Sequence, residues 1–323
     1  YSHFQLSLVL PFISYLLPKN VWRKVNTDYQ NYLRLQRGLS QNTVVSYGLD
    51  IEKLIGYLEK YNITEPPDTI QVDTLRQFVY EVSKELNARS QARLISALKS
   101  FFKFMISEKG REDFPMSLID SPKIGVKLPD TLSLKEIDAM LASIDLSTDE
   151  GHRNKAIIET LYGCGLRVSE LVSLRLSDLF FEEDFIRVMG KGSKQRLVPI
   201  ESYTQEQINN YINNQRKQLK IAKGHEDYVF LNRRGKQLTR AMIFTIVRQV
   251  AENIGLQKTI SPHTFRHSFA THLLENGANL RAIQMMLGHE NITTTEIYVH
   301  VEKSYLREAL VKYHPRHKMN FTQ

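Results

Sequence analysis

The sequence predicts a mainly α-helical protein of two domains, the second of which contains a small antiparallel β-sheet. Three observations support this prediction. Apolar residues recur at helical spacing through most of the 323 residues. Residues 111–130 are rich in proline and lack periodicity, as is typical of a linker. The only clear β signal is a hairpin pattern, in which FIRVMG and QRLVPI (residues 185–200) flank the segment KGSK.

Residues 22–110 are expected to form an N-terminal domain of four helices. A first helix runs from about Val21 to Gly38, and Ser40 or Asn42 caps the second, which reaches the turn at residues 62–67. Asp73 is expected to cap the third helix. Ser90 is expected to begin the fourth, which ends near Gly110.

The fourth helix combines an apolar side with a basic side. Apolar residues from Leu94 to Met105 fall on one side at helical spacing, and four basic residues gather on the other: Arg89, Arg93, Lys99 and Lys103. This pattern fits a helix that packs on its own bundle and presents cations to the phosphates of DNA. An ordinary solvated face is the alternative.

Residues 1–21 are treated as an atypical apolar extension. The segment 4–17 has no basic residues before it and no small-residue cleavage site after it, which disfavours a signal peptide. It is shorter than the ~20 residues of a membrane-spanning helix, and Pro11 interrupts it. We assign this extension no function.

Residues 131–323 are expected to form the second domain. Ser133 caps its first helix, and a helix from Arg153 to Tyr162 ends at a glycine turn that Arg167 follows. After the hairpin, which carries Lys191 at its turn, helices are expected over residues 203–222 and 239–253.

The segment 261–301 contains an unusual set of polar residues. Pro262 suits a helix start, and His263 and Arg266 lie three residues apart on one face of that helix. A second helix over residues 279–287 ends at Gly288, directly before His289, and Tyr298 follows nine residues later. If the two helices pack together, these polar groups converge.

Charge and composition narrow the function classes. The net charge is +8 and both parts of the chain carry a basic surplus, which suits either a protein that grips nucleic acid or a mildly basic enzyme. The single cysteine, Cys164, excludes an internal disulfide framework and a cysteine-based zinc site. No phosphate-binding GxxxxGK[ST] loop is present. His263 and His267 have zincin-like spacing, but Thr264 stands where such a metalloprotease needs glutamate, so no metal site is predicted.

The remaining set suits metal-free attack on a phosphodiester. A tyrosine hydroxyl, with its ordinary pKa of ~10, needs nearby cations to become a nucleophile. Arginine can bond two phosphate oxygens at once, and lysine or histidine can protonate a leaving oxygen. The candidate residues are Arg167, Lys191, His263, Arg266, His289 and Tyr298.

Four segments carry a family resemblance: GLRVSEL (165–171), GKGSKQRLVPI (190–200), HTFRHSFATHLLENGANLRAIQMMLGH (263–289) and ITTTEIYVHV (292–301). The chain resembles the tyrosine recombinases, most closely those of the bacterial Xer type, over residues 22–313. The run RGLSQNTVVSYGLDI (37–51) is similar to the core-binding, SAM-like domain of that family.

The resemblance implies a role for each candidate. Tyr298 would attack the scissile phosphate and form a 3′-phosphotyrosyl bond, while Arg167 and Arg266 would clamp that phosphate. Lys191 would be the general acid. The two histidines at positions 263 and 289 would assist by handling protons and bonding phosphate.

The resemblance also implies partners. Two domains would clamp duplex DNA at a specific recombination site, and four protomers, identical or including a paralogous recombinase, would assemble on two sites. A DNA translocase would be an activator. No cofactor and no membrane association are expected, and the expected location is the cytoplasm.

The resemblance to the Xer type further implies that the protein resolves chromosome dimers at cell division. Several alternatives remain open at this point. Within the class, the rival is an integrase of a phage or mobile element. From other classes, the rivals are a DNA-binding protein that has lost catalysis and a type IB topoisomerase. Tyr305 and Tyr313 are rival nucleophiles, but their spacing from His289 does not fit the motif.

Overall fold

The structure is a computed structural model that describes residues 9–123, 125, 130–190, 195–288 and 299–316, with side chains described from residue 20 onward except in 299–303. Within this part the fold is mostly helical with one small antiparallel sheet, which confirms the predicted fold class. The chain divides into two compact units, residues 1–127 and 128–323, and each has its own buried core.

The first unit contains four helices: α1 (Val9–Leu35), α2 (Gln41–Lys60), α3 (Val72–Ser83) and α4 (Ala88–Lys109). Its core is rich in aromatic rings. Phe101 of α4 stacks on Trp22 of α1, with 5.9 Å between ring centroids, and meets Tyr29 edge to face at 5.3 Å. Such ring pairs and their buried area hold α4 against α1 and fix which side of α4 faces outward.

Three details of this unit differ from the sequence prediction. The first helix begins at Val9 instead of near Val21, and Pro11 occupies its first turn, where a proline loses no intrahelical hydrogen bond. Helix α3 begins after Gln71, so Asp73 lies inside its first turn and binds Arg76. Helix α4 begins two residues before Ser90.

The start of α4 shows why the Ser90 prediction was wrong. Asn87 is the cap, and its side chain accepts a hydrogen bond from the Ser90 backbone nitrogen at 2.9 Å. Asparagine and serine are comparably good caps, so the sequence alone did not separate them. Ser40 caps α2 as predicted, accepting from the Thr43 nitrogen.

The second unit contains eight α-helices and three strands within its described residues. The helices are α5 (Leu134–Ala142), α6 (Gly151–Gly163), α7 (Val168–Ser173), α8 (Ser202–Tyr211), α9 (Arg240–Asn253), α10 (Pro262–Glu275), α11 (Leu280–Leu287) and α12 (Val299–Tyr313). Ser133 caps α5 with a capping box to Glu136, and Thr239 caps α9.

The sheet has the order β1–β2–β3, with β1 at Leu179–Phe180, β2 at Phe185–Met189 and β3 at Gln195–Pro199. Strands β2 and β3 form the predicted hairpin, in which Val188 pairs with Arg196. The two-residue strand β1 was not predicted, because it is too short to show an alternating pattern.

The helix predicted over residues 203–222 ends early. Helix α8 stops at Tyr211, a π-helical turn covers Ile212–Arg216, and the helical backbone ends at residue 218. The Arg216 side chain explains the change, because its guanidinium donates to the backbone carbonyls of Glu226, Tyr228 and Val229. This contact draws the following loop against the end of the helix.

None of the helices in the described residues is both long enough and apolar enough to cross a membrane.

Candidate active site

The structure describes three of the six predicted catalytic residues. Arg167, His263 and Arg266 lie in the second unit and can be placed. Lys191, His289 and Tyr298 lie outside the described residues, so their predicted roles stay predictions. In the chain, Lys191 falls between β2 and β3, His289 follows the cap of α11, and Tyr298 directly precedes α12.

Arg167 is positioned by a tight turn between α6 and α7. Gly165 adopts a left-handed conformation with φ of +58°, and a Cβ there would lie 2.6 Å from the ring of Phe269 on α10. Only glycine therefore allows α6 to end this close to α10. Arg167 then occupies the N-cap position of α7, with about a third of its side chain exposed.

Arg266 lies on α10, with a side chain that is 10% exposed. Its Nη1 donates to the Gly165 carbonyl at 2.7 Å, and its Nη2 donates to the Leu287 carbonyl. Burial, together with the charge of Arg167, lowers the pKa of Arg266 to about 10. The guanidinium still carries its charge at neutral pH, in a place where a further anion would be favourable.

Among the described residues, Glu170 is the single acidic group at the centre of this cluster, and its carboxylate is almost fully buried. It binds Arg167 Nη1 at 2.8 Å and accepts from the Arg167 backbone nitrogen at 2.8 Å. Arg266 Nη1 lies 3.8 Å away. Burial by itself would raise the pKa of Glu170, but the hydrogen bonds and charges of Arg196 and Arg167 outweigh it, and the pKa lies below its usual value.

A third arginine completes the cluster. Arg196 of β3 forms a two-pronged ion pair with Glu170, at 2.7 and 2.9 Å. Its Nε also donates to the Met286 carbonyl at 2.8 Å. Paired arginine–carboxylate contacts of this kind fix geometry as well as charge.

The three arginines bind consecutive carbonyls at the end of α11. Arg196 binds that of Met286, Arg266 that of Leu287, and Arg167 that of Gly288, the last at 3.3 Å. The last carbonyls of a helix have no partner within it and carry a partial negative charge, which favours cations there. Gly288 ends α11 in a left-handed conformation with φ of +67°, as predicted.

His263 occupies the first turn of α10, where it is exposed. No acidic residue lies in that turn, so the positive end of the helix dipole is uncompensated by a side chain of its own helix. His263 lies one turn before Arg266. Among the described residues no group of three or more His, Cys, Asp or Glu side chains is arranged to hold a metal ion.

Within the described part of the chain, the arrangement carries a surplus of positive charge. Three guanidiniums face one carboxylate, and the α11 carbonyls supply only partial charges. Arg167 and the start of α10 remain accessible to solvent. A site of this composition can bind a phosphate and stabilise negative charge that develops on it.

The predicted DNA-binding residues lie on the outward side of α4 in the first unit. Arg89, Arg93 and Lys103 are exposed and Lys99 is partly exposed, whereas the apolar side from Leu94 to Met105 is buried. Arg93 differs from the others because it binds the buried carboxylate of Asp50 at 3.0 Å.

Neither Glu170 nor Arg196 was among the candidate residues that the sequence indicated. Both lie within the quoted motif segments, and a charged residue between Val168 and Leu171 in a short apolar helix was a usable signal of a buried ion pair. Their partnership was not readable, because 26 residues separate them in the chain.

Comparison with known proteins identifies the family. The model of the phage integrase family matches residues 130–304, and that of its N-terminal SAM-like domain matches residues 27–109. The chain belongs to the phage integrase family. It is a tyrosine recombinase close to the Xer type, as the sequence predicted, and its enzyme class is that of a site-specific DNA strand transferase.

Curated tyrosine recombinases match nearly the whole chain. XerD of Listeria innocua is 40% identical over 290 residues, covering 90% of this chain and 98% of its own length. XerD of Oceanobacillus iheyensis is 42% identical over 290 residues, covering 90% and 97%.

Solved recombinases share the fold. The XerH recombinase bound to palindromic difH substrate, in a post-cleavage complex, aligns with a TM-score of 0.67 at 24% identity, over 88% of this chain and 84% of that one. The Tn1549 transposon integrase in complex with circular intermediate DNA aligns with a TM-score of 0.65 at 23% identity, over 87% and 94%.

Proposed function

We propose that this tyrosine recombinase cuts and rejoins duplex DNA at a specific site through a 3′-phosphotyrosyl intermediate, and that it resolves chromosome dimers at cell division. The observation that carries the chemistry is the meeting of Arg167 and Arg266 around one carboxylate, with positive charge left over. The proposed role in chromosome-dimer resolution is supported by the match to XerD proteins over nearly their whole length.

The two arginines bind the non-bridging oxygens of the scissile phosphate. The Tyr298 oxygen attacks the phosphorus, the bond to the 5′ oxygen breaks, and the DNA is left with a free 5′ hydroxyl. The transition state is more negative than the starting diester, so cations that are already in position lower its energy. Exchange of one phosphate ester for another conserves bond energy, and the reaction needs no nucleotide hydrolysis.

Proton transfer falls to the remaining candidates. Lys191 protonates the departing 5′ oxygen, which is the role that the resemblance to tyrosine recombinases implies for it. His263 at the positive end of α10, and His289 after α11, hydrogen-bond the phosphate and handle the proton of Tyr298.

DNA is also held by the first unit. Arg89, Arg93, Lys99 and Lys103 contact phosphates along the outward side of α4. Ser96 lies between Arg93 and Lys99 in the chain and is exposed, and its small side chain leaves room there for the DNA backbone. Recombination requires four protomers on two sites, and a paralogous recombinase can supply two of them.

A covalent-trapping experiment tests this function. The substrate is a duplex that the protein itself selects from a random library, nicked in turn at successive positions across its centre so that the small 5′-hydroxyl fragment is lost after cleavage. Wild type is expected to give a protein–DNA adduct on a denaturing gel, with or without EDTA, and Tyr298→Phe is expected to give none. An adduct that EDTA suppresses would refute the metal-free mechanism.

The proposed role in chromosome-dimer resolution has a separate test. Disruption of the gene is expected to leave unresolved chromosome dimers in dividing cells, and the wild-type gene but not Tyr298→Phe is expected to restore segregation. If the selected site lies only at the ends of a mobile element, the integrase alternative is correct instead.

A further inference from the structure

The ion-pair cluster gives Arg196 a position that none of the three described candidate residues shares. Its guanidinium bonds both oxygens of Glu170, and its Nε bonds the Met286 carbonyl. It therefore joins three segments: strand β3, which follows the Lys191 turn; helix α7, which Arg167 caps; and the end of α11, which His289 follows.

Arg196 differs from the two proposed phosphate ligands in how many of its donors the protein already uses. Arg167 and Arg266 each bind protein acceptors through two guanidinium nitrogens. Arg196 binds them through all three of its guanidinium nitrogens, two to Glu170 and one to the Met286 carbonyl. Its atoms also pack beside Gly288, where an added Cβ would lie 3.0 to 3.2 Å from its Cδ, Nε and Cζ.

The charge balance shows what Arg196 does for Arg167. Glu170 attracts every guanidinium near it, and Arg196 takes up both of its oxygens. Without Arg196, the carboxylate would be left to Arg167 and Arg266, and would draw them away from a phosphate. The Met286 carbonyl would lose its donor as well, which would loosen the end of α11.

We propose that Arg196 is a positioning residue for strand cleavage, which holds Glu170 and the end of α11 so that Arg167 and Arg266 stay aligned for the scissile phosphate. This inference rests on the phosphate-clamping role proposed above for those two arginines. Arg196 acts through Glu170 and the Met286 carbonyl, and not by touching DNA.

The test measures single-turnover cleavage of the nicked duplex by Arg196→Gln, at saturating protein and well below the melting temperature. The rate constant of adduct formation is expected to fall roughly 10- to 100-fold, the cost of a small misalignment of reacting groups. The dissociation constant for intact DNA is expected to stay within about twofold, because the lost contacts are internal. Arg196→Lys keeps the charge but loses the two-pronged geometry, so an intermediate rate is expected.

Arg187→Gln is the matched control. Arg187 lies on the neighbouring strand β2 and forms an ion pair with Asp178 at 2.7 Å, away from Glu170 and α11. Because Asp178 is largely buried, Arg187→Gln also costs stability and so controls for destabilisation, but its cleavage rate constant is expected to stay within about twofold of wild type.

A purely structural role would give a different result. Misfolding lowers the amplitude of adduct formation, the fraction of active protein, and leaves the rate constant of the folded fraction unchanged. A second check combines Arg196→Gln with Glu170→Gln. If Arg196 acts through Glu170, Arg196→Gln slows cleavage by a smaller factor in the Glu170→Gln protein than in wild type.

Three results would overturn the inference: a rate constant within twofold of wild type, a loss confined to amplitude, or an equal loss in DNA affinity. If Arg196→Gln slows cleavage by the same factor in the Glu170→Gln protein as in wild type, Arg196 does not act through Glu170. Failure of the proposed function looks different, because wild type itself would then give no Tyr298-dependent adduct.

Discussion

At the scale of single residues, the site depends on one buried carboxylate that holds several arginines. Glu170 satisfies Arg167 and Arg196 directly and lies close to Arg266, so the cluster stays folded while its net charge remains positive. A site in which positive and negative charges balanced would not attract phosphate. Without the carboxylate, the guanidinium groups would repel one another. The lowered pKa of Glu170 keeps this balance through the neutral range.

Glu170→Gln is expected to lower the free energy of unfolding at pH 7 by about 3 kcal/mol, because it removes one partner of a buried ion pair. The folded-state pKa of Glu170 is below its unfolded value, so its stabilisation is present above the unfolded pKa of ~4.3 and is lost as the pH falls through the folded value. Urea unfolding of both proteins from pH 7 to pH 3 should show their difference shrinking in the acid range.

The control for this prediction is Glu252→Gln, which breaks an exposed pair with Arg248 on α9 and is expected to change stability by no more than about 0.5 kcal/mol. A wild-type advantage over Glu170→Gln that stays constant down to pH 3 would show that Glu170 does not stabilise the fold as a carboxylate.

At the scale of elements, the end of α11 is the part of the fold that joins the arginines. Gly288 is required there for two reasons, its left-handed backbone and its closeness to Arg196. Gly255, after α9, has nearly the same backbone with φ of +64°, but a Cβ there would meet nothing within 4 Å.

This pair of glycines allows the two effects to be separated. Gly255→Ala is expected to cost about 1 kcal/mol of stability from backbone strain alone, with unchanged cleavage. Gly288→Ala is expected to cost more than Gly255→Ala and to slow adduct formation, because the new methyl group displaces Arg196. Thermal unfolding and single-turnover cleavage measure both effects. Equal behaviour of the two variants would mean that the contact with Arg196 is unimportant.

The outward side of α4 makes a prediction about salt dependence. Arg89→Gln, Lys99→Gln and Lys103→Gln are each expected to weaken DNA binding and to reduce the slope of log K against log salt by about 0.9, one phosphate contact each. Arg76→Gln on α3, which removes an exposed charge paired with Asp73, is the control and should leave the slope unchanged. Binding titrations between about 50 and 200 mM salt distinguish these outcomes.

Arg93 is left out of that comparison for a structural reason. Its pairing with the buried carboxylate of Asp50 means that Arg93→Gln would disturb the fold as well as the surface. If all three remaining variants bind DNA with the wild-type salt slope, the basic side of α4 is only a solvated face.

At the scale of the whole molecule, the sequence predicted features that depend on neighbours in the chain. The cap at Ser133, the left-handed Gly288 and the hairpin of β2 and β3 were all readable, because each depends on a few adjacent residues. The Asn87 cap and the early end of α8 were missed. In the first case two good caps compete, and in the second a side chain binds a distant loop.

The candidate site also combines features that depend on neighbours in the chain with features that depend on distant contacts. Residue type and spacing in the motifs selected Arg167 and Arg266 as candidates, and their roles stay predictions. The ion pair of Glu170 with Arg196 required the fold to bring α7 and β3 together. The sequence likewise could not show that three arginines bind consecutive carbonyls of α11, because this depends on how α10, β3 and the Arg167 turn surround one helix end.

The central claim is that Tyr298 is the nucleophile of a phosphate held by Arg167 and Arg266. Trypsin would place the three candidate tyrosines on separate peptides, since cleavage sites at Arg281, Lys303, Arg307, Lys312 and Arg316 separate Tyr298 from Tyr305 and from Tyr313. The most direct measurement is therefore mass spectrometry of the trapped protein–DNA adduct after nuclease and trypsin digestion. We predict a 3′-linked nucleotide on the peptide of residues 282–303, at Tyr298. A nucleotide on the peptide that contains Tyr305 or Tyr313, or one linked through its 5′ phosphate, would contradict the account.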